Sequence, residues 1–211
     1  MKTGRVLLIL ALAVGALALG ACTGATATPT SGDGAAGPVA KTEVIAYQPG
    51  EPTGDPQEGE CWTTSLILPR EDAWRCMIEN SIYDPCFGEA DAEAVVCGAD
   101  PVAGETGFLL TLSSPLPAPE MGQTPEGQSW MVRLADGTLC GFATGATTGV
   151  DDKRLNYWCD VETTEEGAAV GLLGDLVAGE VWTAELATIV MTEDGPTLKE
   201  SEVVEIATVW R

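Results

Sequence analysis

The chain predicts a mostly β fold with one short helix: a single disulfide-bonded antiparallel β domain, sandwich or barrel-like. Three observations lead there. Apolar and polar residues alternate with period two in several runs of the C-terminal half. Asp136-Gly137 and Asp194-Gly195 sit between such runs, as hairpin turns do. After residue 60 the chain of 211 residues carries six cysteines, an even set that reads as a disulfide framework.

The elements follow in order. Pro69 suits a first helical turn, Trp74, Met77 and Ile78 fall at i, i+3 and i+4, and Asn80 can end the run. This spacing predicts the one helix, over residues 69–80. Val95-Val96-Cys97 and Phe108-Leu109-Leu110-Thr111-Leu112 read as short, buried strands. Between Ser113 and Gly127, Pro115, Pro117, Pro119 and Pro125 impose a loop, long for a compact domain and a candidate binding edge. Trp130, Val132 and Leu134 then alternate with Met131 and Arg133, and Asp136-Gly137 turns the chain into Leu139-Cys140-Gly141-Phe142. Leu155, Tyr157, Cys159 and Val161 share one face of the next strand, with Arg154, Asn156, Trp158 and Asp160 on the other. Trp182, Ala184, Leu186 and Val190 line a long strand that pairs, across the Asp194-Gly195-Pro196 turn, with Val204, Ile206 and Trp210.

The N-terminus has a different layout. Lys2 and Arg5 precede fourteen apolar or Gly residues, Val6 to Leu19, and Leu19-Gly20-Ala21-Cys22 closes the run. Charge, apolar run and small residues in that order mark a secretory signal peptide. Fourteen helical residues reach only ~21 Å, short of the ~30 Å of a hydrocarbon core. The closing four residues resemble the lipobox of bacterial lipoproteins. The resemblance covers the first 22 residues. It implies that residues 1–21 are removed and that Cys22 becomes the lipidated N-terminus, with a diacylglycerol thioether and an N-acyl chain. The membrane is then a partner through that anchor, and the protein sits on the extracytoplasmic face of the cell membrane. Two or more chains hold a protein there stably.

Residues 22–58 follow as a lipidated N-terminus and tether. Gly, Ala, Thr, Ser and Pro dominate it, a composition that cannot bury enough surface to order itself. Thr23 to Glu58 as a flexible coil would reach about 30–36 Å. Thr42-Glu43-Val44-Ile45-Ala46-Tyr47 carries strand formers and can pair with the domain, so the domain edge falls at 59 or as early as 42. Residues 59–211 form the β-rich domain.

Cys61, Cys76, Cys86, Cys97, Cys140 and Cys159 give three structural disulfides, as an exported chain permits. Proximity favours 61–76, 86–97 and 140–159; the crossed set 61–86 with 76–97 is the rival. No Cys-x-x-Cys and no zinc-ligand spacing occurs. Cysteine chemistry therefore assigns no metal and no cofactor.

The chain has 10 basic and 32 acidic residues and a formal net charge of −22. Removal of Lys2 and Arg5 with the leader leaves 8 against 32, or −24. Such a field repels nucleic acid and other polyanions and favours neutral or cationic partners. There is no histidine. Ser-His-Asp and Cys-His catalysis and histidine-held zinc are excluded with it. No Gly-x-Ser-x-Gly, Ser-x-x-Lys or phosphate-binding glycine loop appears.

What survives as enzyme chemistry is a carboxylate pair of the glycoside hydrolase kind, acting on polysaccharide. Asp84, Glu89, Asp91, Glu93, Asp151, Asp152, Glu165 and Glu166 supply acids without singling out two. Glu89, Asp91 and Glu93, at alternate positions, offer oxygens to a calcium ion or form a solvated face. Six tryptophans stand against three tyrosines and three phenylalanines. Trp130, Trp182 and Trp210 lie on apolar strand faces and belong to a core. Trp158 shares its face with polar residues, and is the candidate for stacking on a sugar ring. Cys61-Trp62-Thr63-Thr64-Ser65, Asp72-Ala73-Trp74-Arg75-Cys76 and Ile82-Tyr83-Asp84-Pro85-Cys86-Phe87 look similar to segments of uncharacterised exported bacterial proteins, a resemblance that implies no activity. The sequence thus points to a membrane-anchored lipoprotein that binds an envelope protein or glycan without catalysis, with the hydrolase as its alternative.

Overall fold

The computed structural model describes residues 38–121, 127–145 and 147–211. Cys22 and residues 1–21, read above as a signal peptide, lie outside these residues, as does the stretch 122–126 of the proline-rich loop. The described residues form strands and no helix: β1 Glu43–Ile45, β2 Gly54–Thr64, β3 Ala73–Ile78, β4 Ser81–Phe87, β5 Ala94–Cys97 and β6 Phe108–Leu112. Then come β7 Met131–Leu134, β8 Leu139–Phe142, β9 Gly149–Val150, β10 Lys153–Cys159, β11 Ala168–Val177, β12 Trp182–Thr192 and β13 Gly195–Trp210.

The all-β class holds, but the helix does not. Residues 73–78 are strand β3. Trp74 and Cys76 are fully buried while Arg75 and Met77 are only partly buried, so the operative period is two rather than three to four. Six residues with ladders on both sides, to β2 and to β4, gain more from sheet pairing than one isolated helical turn and a half can supply. Asn80, read as a helix end, instead follows Glu79 in the two-residue turn of the β3–β4 hairpin.

β2 to β6 close into a five-stranded barrel. Its neighbours pair antiparallel except at the closing seam, where β2 runs parallel to β6. Trp74, Val95 and Leu110 fill it, and Leu116 from the proline-rich segment adds to the core. The Trp74 Nε1–H donates to the Gly88 carbonyl at 2.7 Å, which satisfies the one polar atom of a fully buried indole.

The remaining strands make a second ring: β7–β8–β10–β11–β12–β13, with β13 pairing back to β7. Val132, Leu134, Tyr157, Leu172, Trp182 and Ile206 are among the residues buried inside it. The Asp136-Gly137 hairpin and the β12–β13 hairpin form where the alternation places them. One detail differs. Leu186 packs, partly buried, against the core of Trp182 and Ala184 as the alternation of Trp182, Ala184, Leu186 and Val190 implies, but beyond Ala184 the fully buried residues of β12 are Ala187 and Ile189 on the other face, packed with Leu155 and Leu173. Leu172 and Leu173 are consecutive, so they point to opposite faces, yet both are buried. The β11–β12 pair therefore runs between two cores, and an alternation that assumes one apolar face cannot follow it.

β1 lies parallel to the end of β13, so the sheet is mixed rather than purely antiparallel. Thr42 is buried, accepts a hydrogen bond from Trp182 N and donates one to the Ile206 carbonyl. β1 and the first half of β2 fall within residues 22–58, the stretch read as tether, so paired chain begins well before residue 59.

The barrels meet over an aromatic trio. Tyr47 lies 5.7 Å from Phe87 and 5.4 Å from Trp130, and Phe87 lies 5.9 Å from Trp130. Ile67 and Leu68, from the β2–β3 connection, fill the space around them.

The disulfides are Cys61–Cys76, Cys86–Cys97 and Cys140–Cys159, the proximity set rather than the crossed one. Cys61 faces Cys76 in the β2–β3 register, and Cys140 faces Cys159 between β8 and β10. Cys86–Cys97 spans β4 and β5, whose ladder has a single residue pair, Phe87 with Val96. Replacing Cys140 and Cys159 together by serine should lower unfolding free energy by about 3 kcal/mol in the chain-entropy model for a loop of this length. Urea titration of the oxidised variant against wild type measures it.

Candidate functional site

Trp158 stands on the outer face of β10 with 40% of its surface exposed. Its ladder neighbours on the two sides are Gly141 of β8 and Gly171 of β11. Neither carries a side chain to cover the indole. A Cβ placed on Gly141 would meet nothing within 4 Å, so the space there is open. On the opposite face of the same strand Tyr157 is sealed inside the barrel. Its hydroxyl donates to the Ser129 carbonyl and accepts from Ser129 N, both at 3.0 Å, and burial pushes the phenol far above its ordinary range.

On the Tyr157 side of the strand, Asn156, which falls at a bulge in the β10–β11 ladder, lines a cleft of about 170 Å³ with Arg154, Asp175, Gln128, Phe142, Tyr157 and Leu176. The polar groups are held by one another. Arg154 Nη1 donates to Asn156 Oδ1 at 2.8 Å, and Nη2 to the Ala143 carbonyl at 3.2 Å. Asn156 Nδ2 donates to the Gly174 carbonyl at 2.7 Å and to Asp175 Oδ1 at 3.3 Å. The Arg154 guanidinium lies 5.7 Å over the Phe142 ring. The alternation expected to put Arg154, Asn156 and Trp158 on one face is broken by a bulge between Leu155 and Tyr157: these two pair with the consecutive Leu173 and Leu172, so Trp158 shares the face of Leu155 while Arg154 lies on the side of Tyr157. Trp158 itself stands outside the cleft, and Asp160 falls beyond the strand's end. The contributions of Asp175 and Gln128 come from distant elements and carry no local sequence signal.

The acids divide sharply. Glu89, Asp91, Glu93, Asp151, Asp152, Glu165 and Glu166 are exposed. Asp151 and Asp152 have φ of 52° and 63° and form the β9–β10 turn, a use that left-handed backbone explains. Glu165 pairs with Lys199 at 2.5 Å. Glu89, Asp91 and Glu93 do not gather: among the described residues the one group of three or more metal-ligand atoms within 4.8 Å of one another is the sulfurs of Cys76, Cys86 and Cys97, which are disulfide-bonded.

Asp84 is the exception, with a side chain 1% exposed. Burial pushes its carboxyl above the usual aspartate range, against the opposing pull of Ser65, the Leu66 N–H and Arg75. Ser65 Oγ donates to Oδ1 at 2.5 Å, Leu66 N donates to Oδ2 at 3.2 Å, and Arg75 Nη1 donates to Oδ2 at 2.9 Å. Ser65 Oγ also accepts from Ile67 N and Leu68 N. Every partner is a donor and none is a second acid. The Arg75 guanidinium closes the outside of this net, 5.8 Å from the ring of Trp62. The arrangement fixes the β2–β3 connection that fills the barrel interface; it is a structural knot, with no room for a substrate between its members.

Comparison with known proteins adds no assignment: no family model, no curated protein and no solved structure matches the chain.

Proposed function

We propose that the protein is a membrane-anchored, extracytoplasmic lipoprotein that binds an envelope glycan on the β10 face of its second barrel, without catalysis. The observation that carries this reading is the exposed indole of Trp158 between two glycines on the outer face of β10. A pyranose presents an apolar ring face and a rim of hydroxyls. The indole matches the first, since its ring is rigid and contributes large contact area. Asp84 weighs against the hydrolase alternative. A general acid with raised affinity for its proton must reach the glycosidic oxygen and have a second carboxylate opposite, whereas Asp84 is enclosed by Ser65, Leu66 and Arg75.

The test is retention of the full chain on insoluble cell-envelope polysaccharide, with the supernatant analysed for released sugars. Wild type is expected to bind and release nothing. Trp158→Ala should weaken binding by about 10-fold or more, given ~0.5–1.5 kcal/mol for the ring geometry beyond its buried area. Thermal unfolding should barely move, because the ring is exposed. Gly141→Thr, which adds a side chain into open space beside the indole, should have the same effect on binding. Release of sugar would sink the non-catalytic reading. Equal retention of all three proteins would sink the site.

A further inference from the structure

The first barrel has a groove unlike the β10 cleft. About 530 Å³ in volume, it is lined by Glu58, Gly59 and Glu60 of β2, Met77 of β3, Glu79 of the following turn, and Thr111 to Ser113 at the end of β6. That is the size range of ligand-binding clefts. Its chemistry is two-part. Leu112 and Met77 give an apolar floor, and three carboxylates stand at the rim with no Lys or Arg among the lining residues.

The apolar part continues beyond the groove. In the ladder registers Glu60 faces Met77 across β2–β3, and Met77 faces Ile82 across β3–β4. The three share the outer face, and Ile82 is 51% exposed. Glu58, Glu60 and the 46%-exposed Trp62 alternate on that face of β2. An exposed strip of Ile82 and Met77 thus leads into an acid-rimmed pocket. The pocket narrows where β2 and β3 come together at Gly59, because a Cβ there would lie 2.4 Å from the Met77 carbonyl. Nothing in the fold requires three carboxylates around an apolar floor. Like charges lining one groove oppose one another, and a bound cation would relieve them.

We propose that this groove binds a short basic, amphipathic peptide segment of another protein. Its lysine or arginine head sits among Glu58, Glu60 and Glu79, and its apolar side chains lie on Met77, Leu112 and Ile82. Charge complementarity selects the occupant: the floor alone would take any apolar segment, and the rim rejects acidic ones. The long alkyl stem of a lysine suits both parts, since it covers apolar surface while its ammonium stays at the rim. The site lies on the other barrel from Trp158 and does not depend on the glycan reading.

The experiment must separate a built site from the diffuse field of a chain with net charge −22. At ~0.15 M salt that field is screened within about 8 Å, so the comparison is made there. The probe is a capped, fluorescein-labelled hexapeptide of alternating lysine and leucine, read by anisotropy against the full chain. Saturable one-to-one binding is expected. The triple variant Glu58→Gln, Glu60→Gln, Glu79→Gln should weaken it about 10-fold, within the range that three exposed ion pairs supply. Glu162→Gln, Glu166→Gln, Glu193→Gln removes the same charge from exposed positions of the second barrel and should change it less than about twofold. Met77→Ser, which leaves the charge intact, should weaken it too, and spermine should compete poorly. Equal weakening in both charge triples, absence of saturation, or spermine competing as well as the peptide would each overturn the proposal.

Discussion

Trp74→Ala should remove about 3–5 kcal/mol of folding stability, the range for deleting a fully buried aromatic and leaving its cavity. Trp74 faces Thr64 of β2 and Cys86 of β4 in the ladders, so its indole lies at the centre of the five-stranded barrel. The proline-rich segment reaches the same core through Leu116. A cavity here would undercut both. Trp74→Phe isolates the polar part: it keeps most of the ring but leaves the Gly88 carbonyl without its 2.7 Å donor, for about 1–3 kcal/mol. Urea unfolding read by circular dichroism measures each variant. If Trp74→Ala costs no more than Trp62→Ala, whose ring is 46% exposed, the barrel core has been misassigned.

Arg75→Met should cost a similar 3–5 kcal/mol near neutral pH, because it strands the Asp84 carboxylate in the interior. The pH dependence identifies the cause. Burial holds the folded Asp84 carboxyl above its ordinary value even with Arg75 present. The folded state therefore keeps a proton that the unfolded chain has released. That contribution is fully present below the ordinary aspartate pKa and is lost as pH rises through the folded one. Removing Arg75 takes away a lowering influence and drives the folded value higher. The deficit of Arg75→Met should therefore shrink steadily as pH falls toward 4. A deficit that is flat with pH would mean that Arg75 acts by packing on Trp62, not by charge.

Local features of the fold were legible and closures were not. The hairpin at Asp136-Gly137 and the one joining Trp182 to Trp210 are set by turn chemistry and alternation within some thirty residues, so the sequence displays them directly. Ring closure pairs Met131 with Trp210 and Gly54 with Phe108, and distant pairing leaves no periodic trace. The helix expected around Trp74 failed because a six-residue segment satisfies either period, and only its ladder neighbours decide. The site divides in the same way. Alternation put Trp158 on one face with Arg154 and Asn156, but a bulge at Asn156, which a regular period cannot reveal, turns Arg154 to the other side. That Gly141 and Gly171 would flank Trp158 depends on register across three strands. Asp84 looked like one acid among many; its burial follows from the β3–β4 hairpin, which sets it against Arg75, and from Ser65 arriving out of a separate connection.

The seam between β4 and β5 bears on how the molecule matures. With one ladder pair there, that seam of the first barrel is held by a sulfur–sulfur bond more than by hydrogen bonding. Securing that seam is then an oxidation, and it follows the thiol–disulfide potential of the compartment in which the nascent chain finds itself.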